Sequence, residues 1–336
     1  MPLLIFHNIS GIYRNIKHLR SPSVVGGAVR DALLGEKPKD IDIEVYGTNY
    51  DDLTHTLKKH GKVNLVGKQF GVVKFRDPDN NEYDFSLPRR DSKTGVGHRD
   101  FKTEFDPDIT PKEAASRRDF TFNSMAYDPV KKELHDYFGG EQDLKDKVIR
   151  HTSDQFAEDP LRVLRGMQFS ARYGMDVHPE TAALAHSIKH EYSTIPKERI
   201  GEEFMKLATK GEEPGRAIDY LQKTGWHENF PEVHALYGTK QEADWHPEGD
   251  LESHTAHAMN AAAKIADREG LSGDNRATVV FGAMCHDLGK PSTTSVDEQG
   301  KTISHGHDVA GGPITRDFLG SIGIKPAIVD KVAPLV

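Results

Sequence analysis

Two aspartates two residues apart, Asp40 and Asp42, follow a glycine pair, Gly26-Gly27, in the segments VVGGAVRDALLG (24–35) and DIDIEVYG (40–47). Alternate residues of a strand share one face about 6.5 Å apart, so a strand here would gather both carboxylates over one small volume. Their repulsion calls for a cation. Two Mg2+ ions about 3.5–4 Å apart would activate an attacking hydroxyl, hold a triphosphate and stabilise departing pyrophosphate. The glycines suit the phosphate: they permit a tight turn and close backbone approach, and the start of the following helical pattern offers free N–H groups. The competing account makes Asp40 a turn cap and Asp42 part of a solvated edge, and a glycine pair alone is commonly just a turn. Asp84, with Glu82 on the same face of a β-type run, is a weaker candidate for a third carboxylate, because a surface strand explains it equally well.

Two further constellations carry chemistry. In EDPLRVLRGMQFSARYG (158–174), Asp159, Arg162 and Arg165 or Gln168 recur at helical spacing and share a face. A carboxylate accepts from the exocyclic amine of cytosine or adenine, while an arginine donates to the adjoining ring nitrogen or carbonyl, so the pair could read C and A and reject G and U. An ion-paired helix surface is the plain alternative. Further on, DLESHTAHAMN, FGAMCHDLGKP and ISHGHDVAGG supply His254, the adjacent His286-Asp287 and the pair His305/His307. Imidazoles with a carboxylate suit a divalent transition metal or Mg2+ that activates water against a phosphate ester, although a lone histidine is usually only a polar surface residue.

The elements that must position these groups change along the chain. Short β-type runs at Val24-Val25, Ile41–Tyr46, Val72–Phe75 and Tyr83–Leu87 alternate with short helical patterns, which predicts an α/β (α+β) domain over residues 1–140. From residue 141 the spacing is helical, with breaks at Gly174, Pro179, Pro196 and Gly211–Gly215, which predicts an all-α region over 141–237. Residues 238–249 lack periodicity and read as a linker into a second helical unit, 238–336. Residues 88–113 read as a long irregular loop, of the kind that is disordered or functional.

The 336-residue chain carries a net charge of −8, which counts against indiscriminate polyanion binding, yet Arg89-Arg90, Arg117-Arg118 and Arg162, Arg165 and Arg172 allow a locally basic cleft. The single cysteine, Cys285, excludes an internal disulfide framework and favours the cytoplasm. No apolar run approaches the roughly 18–20 residues of a membrane span. The opening MPLLIFHNIS lacks a basic n-region and a cleavage site, so a first structural element is expected there and not a signal peptide.

GGAVRDALLG followed by DID resembles the first signature of the class II tRNA nucleotidyltransferases, the bacterial CCA-adding enzymes and their poly(A) polymerase relatives in the polymerase β superfamily. SRRDFTFNSMAYD (116–128) resembles their RRDFTINALA signature, departing at Phe122, Ser124 and Met125; HDYFGGEQDLKDKVIR (135–150) resembles the segment joining head to neck, and ERIGEEFMKLATKGEEPGRAIDYLQKTG (198–225) the neck and body. The resemblance implies a nucleotidyltransferase head, an all-α neck and body, and a helical HD domain. It implies metal binding by Asp40 and Asp42, nucleotide contacts from Gly27 and Arg30, a triphosphate contact from Arg118, and help from Asp119 and Asn123 in setting the sugar. Asp159 and Arg162, with Arg165 beside them, would select CTP and then ATP for addition of CCA to the acceptor end of tRNA. His254, His286 and Asp287 would hold an HD-site metal such as Ni2+ or Mn2+ for a phosphohydrolase, in a domain expected to be cut short because a further His or Asp usually follows the segment matched by VDKVAPLV. The expected protein is a monomer or homodimer without membrane attachment. A-only or CC-only addition, or poly(A) synthesis, is the near alternative; an HD phosphohydrolase with a merely nucleotide-binding head is the distant one.

Overall fold

A computed structural model describes residues 3, 6, 20–65, 71–93, 101–106 and 108–336. The chain forms two compact units, Met1–Glu158 and Asp159–Val336. Most of the opening MPLLIFHNIS lies outside the described residues.

The first unit is built on a seven-stranded mixed sheet in the order β3-β4-β5-β2-β1-β8-β9. Its centre is β1 (Arg20–Val25), β2 (Asp42–Tyr46) and β5 (Glu82–Ser86), with β4 (Val72–Arg76) and β3 (Lys62–Asn64) beyond β5, and β8 (Ala126–Asp128) and β9 (Glu133–His135) beyond β1. Helix α1 (Gly27–Leu33) follows β1 directly, and α2 (Tyr50–Lys58), N-capped by Asn49, follows β2. The period-2 alternation decides which side chains meet solvent. Ile43, Val45, Tyr83 and Phe85 are buried, whereas Asp42, Glu44, Asp84 and Ser86 lie on the more open face. Strand β2 runs parallel to β5, and the register sets Asp42 directly opposite Asp84. Asp40 does not share the strand with Asp42: it occupies a bend just before β2, whose pairing with β1 ends at Val25–Asp42.

The expected irregular loop contains ordered backbone. β6 (Arg89–Lys93) and β7 (Phe101–Phe105) form an antiparallel pair with Asp91 opposite Thr103, and residues 94–100 between them lie outside the described residues. FKTEF does alternate, but RRDSK has no apolar period, so its partner strand had no signature of its own. Helix α3 (Pro111–Ser116) then starts at a capping box between Thr110 and Glu113. Beyond the sheet come α4 (Gly140–Lys145) and β10 (Val148–Ile149).

The second unit contains α5 (Leu161–Tyr173), β11 (Asp176–Val177), α6 (Pro179–Ser187), α7 (Lys197–Lys210), α8 (Arg216–Thr224) and α9 (Pro231–His234). They are followed by α10 (Leu251–Arg268), α11 (Gly273–Cys285), α12 (Lys290–Thr293), the hairpin β12 (Ser295–Val296)–β13 (Thr302–Ile303), α13 (His307–Ser321) and α14 (Pro326–Val332). Helix α5 ends at Gly174, whose φ of 63° closes the helix in the left-handed region. Helix α5 packs against both α7 and α8, with Leu164, Phe204 and Leu221 buried, and α10 packs against α11, with Met259, Ala263, Val280 and Phe281 buried. Gly215 is required where α8 starts, because a side chain there would collide with the backbone of Ala256 in α10. Residues 238–249, expected as a linker, form no helix yet are tied down: Leu251 N donates to Thr239 O at 3.0 Å and Thr302 N to the Glu242 carboxylate at 2.9 Å.

Arg276 joins the last turn of α7 to α11. Only 5% exposed, it donates to the carbonyls of Ala208 and, at 2.8 Å, Gly211, and pairs with Asp267 at 2.9 Å. These carbonyls belong to a helix end that has no partners of its own. Arg276→Ala is therefore expected to cost about 3 kcal/mol in urea unfolding; Arg276→Lys should recover only part, because an ammonium cannot reproduce the guanidinium fork. A loss under ~1 kcal/mol would mean that the two helix sets do not depend on this bridge. No helix among the described residues is long and apolar enough to cross a membrane.

Candidate active sites

At the first site, the turn from β1 into α1 brings Gly26 and Gly27 under two arginines. Gly26 has φ +70°, and a Cβ there would come within 2.9 Å of Arg118 Nη1; a Cβ on Gly27 would lie 3.2 Å from Arg30 Nη2. Gly26 is needed for the turn because its φ is left-handed, and a side chain at either glycine would push a guanidinium aside. Arg30, 6% exposed, pairs with Asp31 at 2.5 Å and donates from Nη1 to Asn123 Oδ1 at 2.6 Å. The Asn123 amide donates in turn to Asp119 Oδ1 at 3.0 Å, which also accepts from Phe120 N at 2.8 Å. Because a carboxylate only accepts and a guanidinium only donates, the orientation of the amide is settled by its partners. Asp119 and Asn123, expected near the sugar, are buried and brace Arg30.

Arg118 sits beside the carboxylates. Its Nη2 is 3.7 Å from Glu44 Oε2, and the same Glu44 oxygen accepts the Tyr46 hydroxyl at 2.7 Å. Asp42 has its surface open to solvent but is densely surrounded by protein, and this partial desolvation raises its pKa above the ordinary carboxylate value. Arg118 opposes the shift, while Asp84, Asp40 and Glu44 add to it. Arg118 thus does not fully offset the charge of an ionised Asp42, and the carboxylates of Asp84, Asp40 and Glu44 around it are donors of the kind a hard divalent cation takes. Sequence reasoning had Asp84 as a weak candidate and missed Glu44; both depend on strand register.

In the second unit, Asp159 receives Leu161 N at 3.1 Å and lies 3.8 Å from Arg199 of α7. Arg162 and Arg165 lie half-buried on the outer arc of α5, with the Arg165 guanidinium 5.6 Å from the Phe169 ring. Gln168 departs from the expected face: it is 2% exposed and turned into the unit.

At the other site, His254 on α10 and His286 at the end of α11 approach Nε2 to Nε2 at 3.0 Å. Asp287 Oδ2 is 3.4 Å from the first nitrogen and 3.1 Å from the second. His254 Nδ1 meets the Glu248 carboxylate at 2.6 Å, and His286 Nδ1 meets the Ala283 carbonyl at 2.8 Å. Both partners are acceptors, so both Nδ1 atoms carry the proton and both Nε2 lone pairs face each other beside Asp287. Three lone pairs converging on one point fit a divalent metal, and the N2O donor set suits a transition ion. Burial lowers the pKa of His254 despite the bond to Glu248. For His286 burial also acts downward, but the hydrogen bond and charge of Asp287 prevail and raise it. Burial opposes ionisation of Asp287, yet His286 and Lys290, the latter at 2.8 Å, hold its pKa well below normal. His307 Nδ1 is bound to Ser304 O at 2.7 Å and its Nε2 lies 3.6 Å from Asp287, whereas His305 stays exposed on the flank. Gly289 is required beside His307, since a Cβ there would overlap the His307 carbonyl.

Glu248 and His246, which the sequence reading passed over, complete the surroundings. Glu248 Oε1 also receives His246 Nδ1 at 3.1 Å, and a backbone hydrogen bond together with the two histidines lowers its pKa to about 2. Using His254 Nδ1 as a donor to Glu248 leaves Nε2 for the metal, the usual arrangement of a carboxylate behind a histidine ligand. Glu248→Ala is expected to weaken Mn2+ binding about 10–100-fold in calorimetry while leaving far-UV circular dichroism unchanged; unchanged affinity would remove Glu248 from this role.

The fold and the two sites define a protein that joins a polymerase β-type nucleotidyltransferase head to an HD-type metal centre. The family model for the poly(A) polymerase head domain matches residues 23–150, the probable RNA and SrmB-binding site of polymerase A matches 174–237, and the HD domain matches 251–336. The multifunctional CCA protein of Xylella fastidiosa (strain M23) is 40% identical over 276 residues, covering 80% of this chain and 62% of the relative. That of Neisseria meningitidis (serogroup C) is 39% identical over 292 residues, covering 86% and 65%. The chain thus spans less than two-thirds of the length of these relatives. Among solved structures, a tRNA-processing enzyme in apo form superposes with a TM-score of 0.65 at 21% identity, over 98% of this chain and 76% of the other. The Thermotoga maritima CCA-adding enzyme complexed with tRNA gives 0.60 at 18%, over 99% and 78%; at such identities the likeness concerns the fold. The chain thus carries a poly(A) polymerase head domain, its RNA-binding segment and a C-terminal HD domain in succession, and relatives at about 40% identity are multifunctional CCA proteins. Both domain types imply dependence on divalent metal.

Proposed function

We propose that this protein adds C, C and A to the 3′ end of tRNA from CTP and ATP without a nucleic-acid template. The observation that carries the reading is the carboxylate face of the head, where Asp42 stands opposite Asp84 with Asp40 and Arg118 acting on it. Asp40 and Asp42, with Asp84 as the third group, would hold two Mg2+ ions, which supply activation of the tRNA 3′-hydroxyl and neutralise charge on the triphosphate. Arg118 binds the triphosphate over Gly26, and Gly27 admits the nucleotide close to the backbone. Arg30, held by Asn123 and Asp119, orients the nucleotide; this pre-set geometry lowers the barrier by position and charge. Asp159 and Arg162, with Arg165 beside them, pair with the base edge shared by C and A. The multifunctional CCA proteins at about 40% identity support this activity. We assign catalysis to residues 1–140, base selection and tRNA holding to 141–237, and a phosphohydrolase to 238–336, acting in the cytoplasm.

The test is direct: tRNA ending at the discriminator base, Mg2+, and labelled CTP and ATP, singly and together. Incorporation of C, C and A is expected. Entry of ATP alone, only on tRNA ending in CC, would make it an A-adding enzyme, and no incorporation would overturn the assignment. The HD centre supports a second activity, hydrolysis of phosphate esters such as 2′,3′-cyclic nucleotides with Ni2+ or Mn2+ at His254, His286 and Asp287, because the converging lone pairs are built for a metal.

A further inference from the structure

Trp245 is 80% exposed, while Trp226, the other tryptophan of the chain, is fully buried. The indole lines a cleft of about 230 Å3 together with His305, His307 and Lys290. The last two also reach Asp287, at 3.6 and 2.8 Å, so two side chains of the cleft that holds the indole touch the metal donor set. The turn carrying Trp245 is fixed although its ring is open. Glu242 O accepts from Trp245 N at 3.1 Å and from His246 N at 2.9 Å, while the Glu242 carboxylate holds Thr302 N at 2.9 Å. His246 is tied onward to Glu248, which orients His254. An aromatic ring kept in water on a rigid turn beside a phosphate-ester centre has a specific use. It offers a flat apolar face to a ring that arrives with the phosphate, and little freedom is lost on binding. The cleft is small beside the ~300–1,000 Å3 of drug-sized sites, which suits one base and not a stacked run.

We infer that the HD centre carries a nucleobase-stacking subsite on Trp245 and selects phosphate esters borne by a single nucleoside over simple phosphate esters. The inference rests on the hydrolase reading for its chemistry, but the subsite is measurable without turnover. Both indoles emit, but Trp226 is buried away from added ligand, so a ligand-dependent change in emission reports on Trp245. Adenosine 3′-phosphate, added to the full chain with Mg2+, should quench emission saturably, whereas ribose 5-phosphate, which lacks a base, should not. Trp245→Phe should remove the quench while keeping Mn2+ binding to the HD centre. On a 2′,3′-cyclic nucleotide, Trp245→Ala should raise KM about tenfold with kcat nearly unchanged, Trp245→Phe should restore most of it, and neither should alter hydrolysis of glycerol 2-phosphate. Quenching without any hydrolysis by the unaltered protein would sustain the subsite and overturn the hydrolase reading. No quenching, quenching that survives in Trp245→Phe, or an equal loss on glycerol 2-phosphate would overturn the subsite.

Discussion

Asp42→Ala is expected to lower nucleotide addition by about 10³-fold or more while leaving tRNA binding within about twofold. The carboxylate lies on the face of β2 opposite Asp84 and accepts no hydrogen bond that shapes the fold among the described contacts, so its removal should not disturb the sheet. Stability gives a second readout. Desolvation raises the folded-state pKa of Asp42, with Asp84, Asp40 and Glu44 contributing and Arg118 opposing. A raised carboxylate pKa means that the folded state holds the proton more firmly. This group therefore favours folding at low pH, and that contribution disappears as pH rises from the unfolded pKa through the folded one. At neutral pH without metal, Asp42→Asn should unfold at a temperature equal to or above that of the unaltered protein, even though it is inactive. An inactive variant that is also clearly less stable would mean that Asp42 serves the fold.

The second large effect concerns the HD centre. His286→Ala should abolish phosphate-ester hydrolysis and reduce Mn2+ affinity at that site by at least about 100-fold, with CCA addition at saturating Mg2+ unchanged. Loss of addition in this variant would refute the assignment of separate sites. Metal binding should also follow pH in a fixed direction. Ligation requires both Nε2 lone pairs, and Asp287 raises the pKa of His286, so protons compete with the metal up to and somewhat beyond pH 6.5. Mn2+ affinity should therefore rise between pH 5.5 and 8, and a flat profile in calorimetry would argue against imidazole ligation. Glu248, with a pKa near 2, stays ionised across that range and does not contribute to the slope.

Much of both sites was legible because their parts are local in sequence. The step from a β run through Gly26-Gly27 into a helix, the pair Asp40 and Asp42, and Arg118-Asp119 followed by Asn123 each lie within a few residues. The adjacent His286 and Asp287 are likewise a local pattern, and His254 falls on the helix that its apolar spacing predicts. Local spacing also misled. DID suggested one strand face for both aspartates, yet pairing with β1 begins at Asp42 and leaves Asp40 in the preceding bend. RRDSK read as loop because a separate two-stranded ribbon such as β6 with β7 is set by backbone partners and needs no apolar alternation.

Residue types and short spacings by themselves determined which groups the proposed chemistry would use: carboxylates beside a glycine turn, arginines for a triphosphate, and histidines with an aspartate for a metal. Tertiary structure alone decided which carboxylate joins Asp42, how Asp119 and Asn123 brace Arg30, and that Glu248 turns His254 so that its Nε2 meets that of His286. The reason is physical. A side chain's type is a property of one position, whereas the direction of a lone pair depends on strand register and helix packing between segments far apart in the chain.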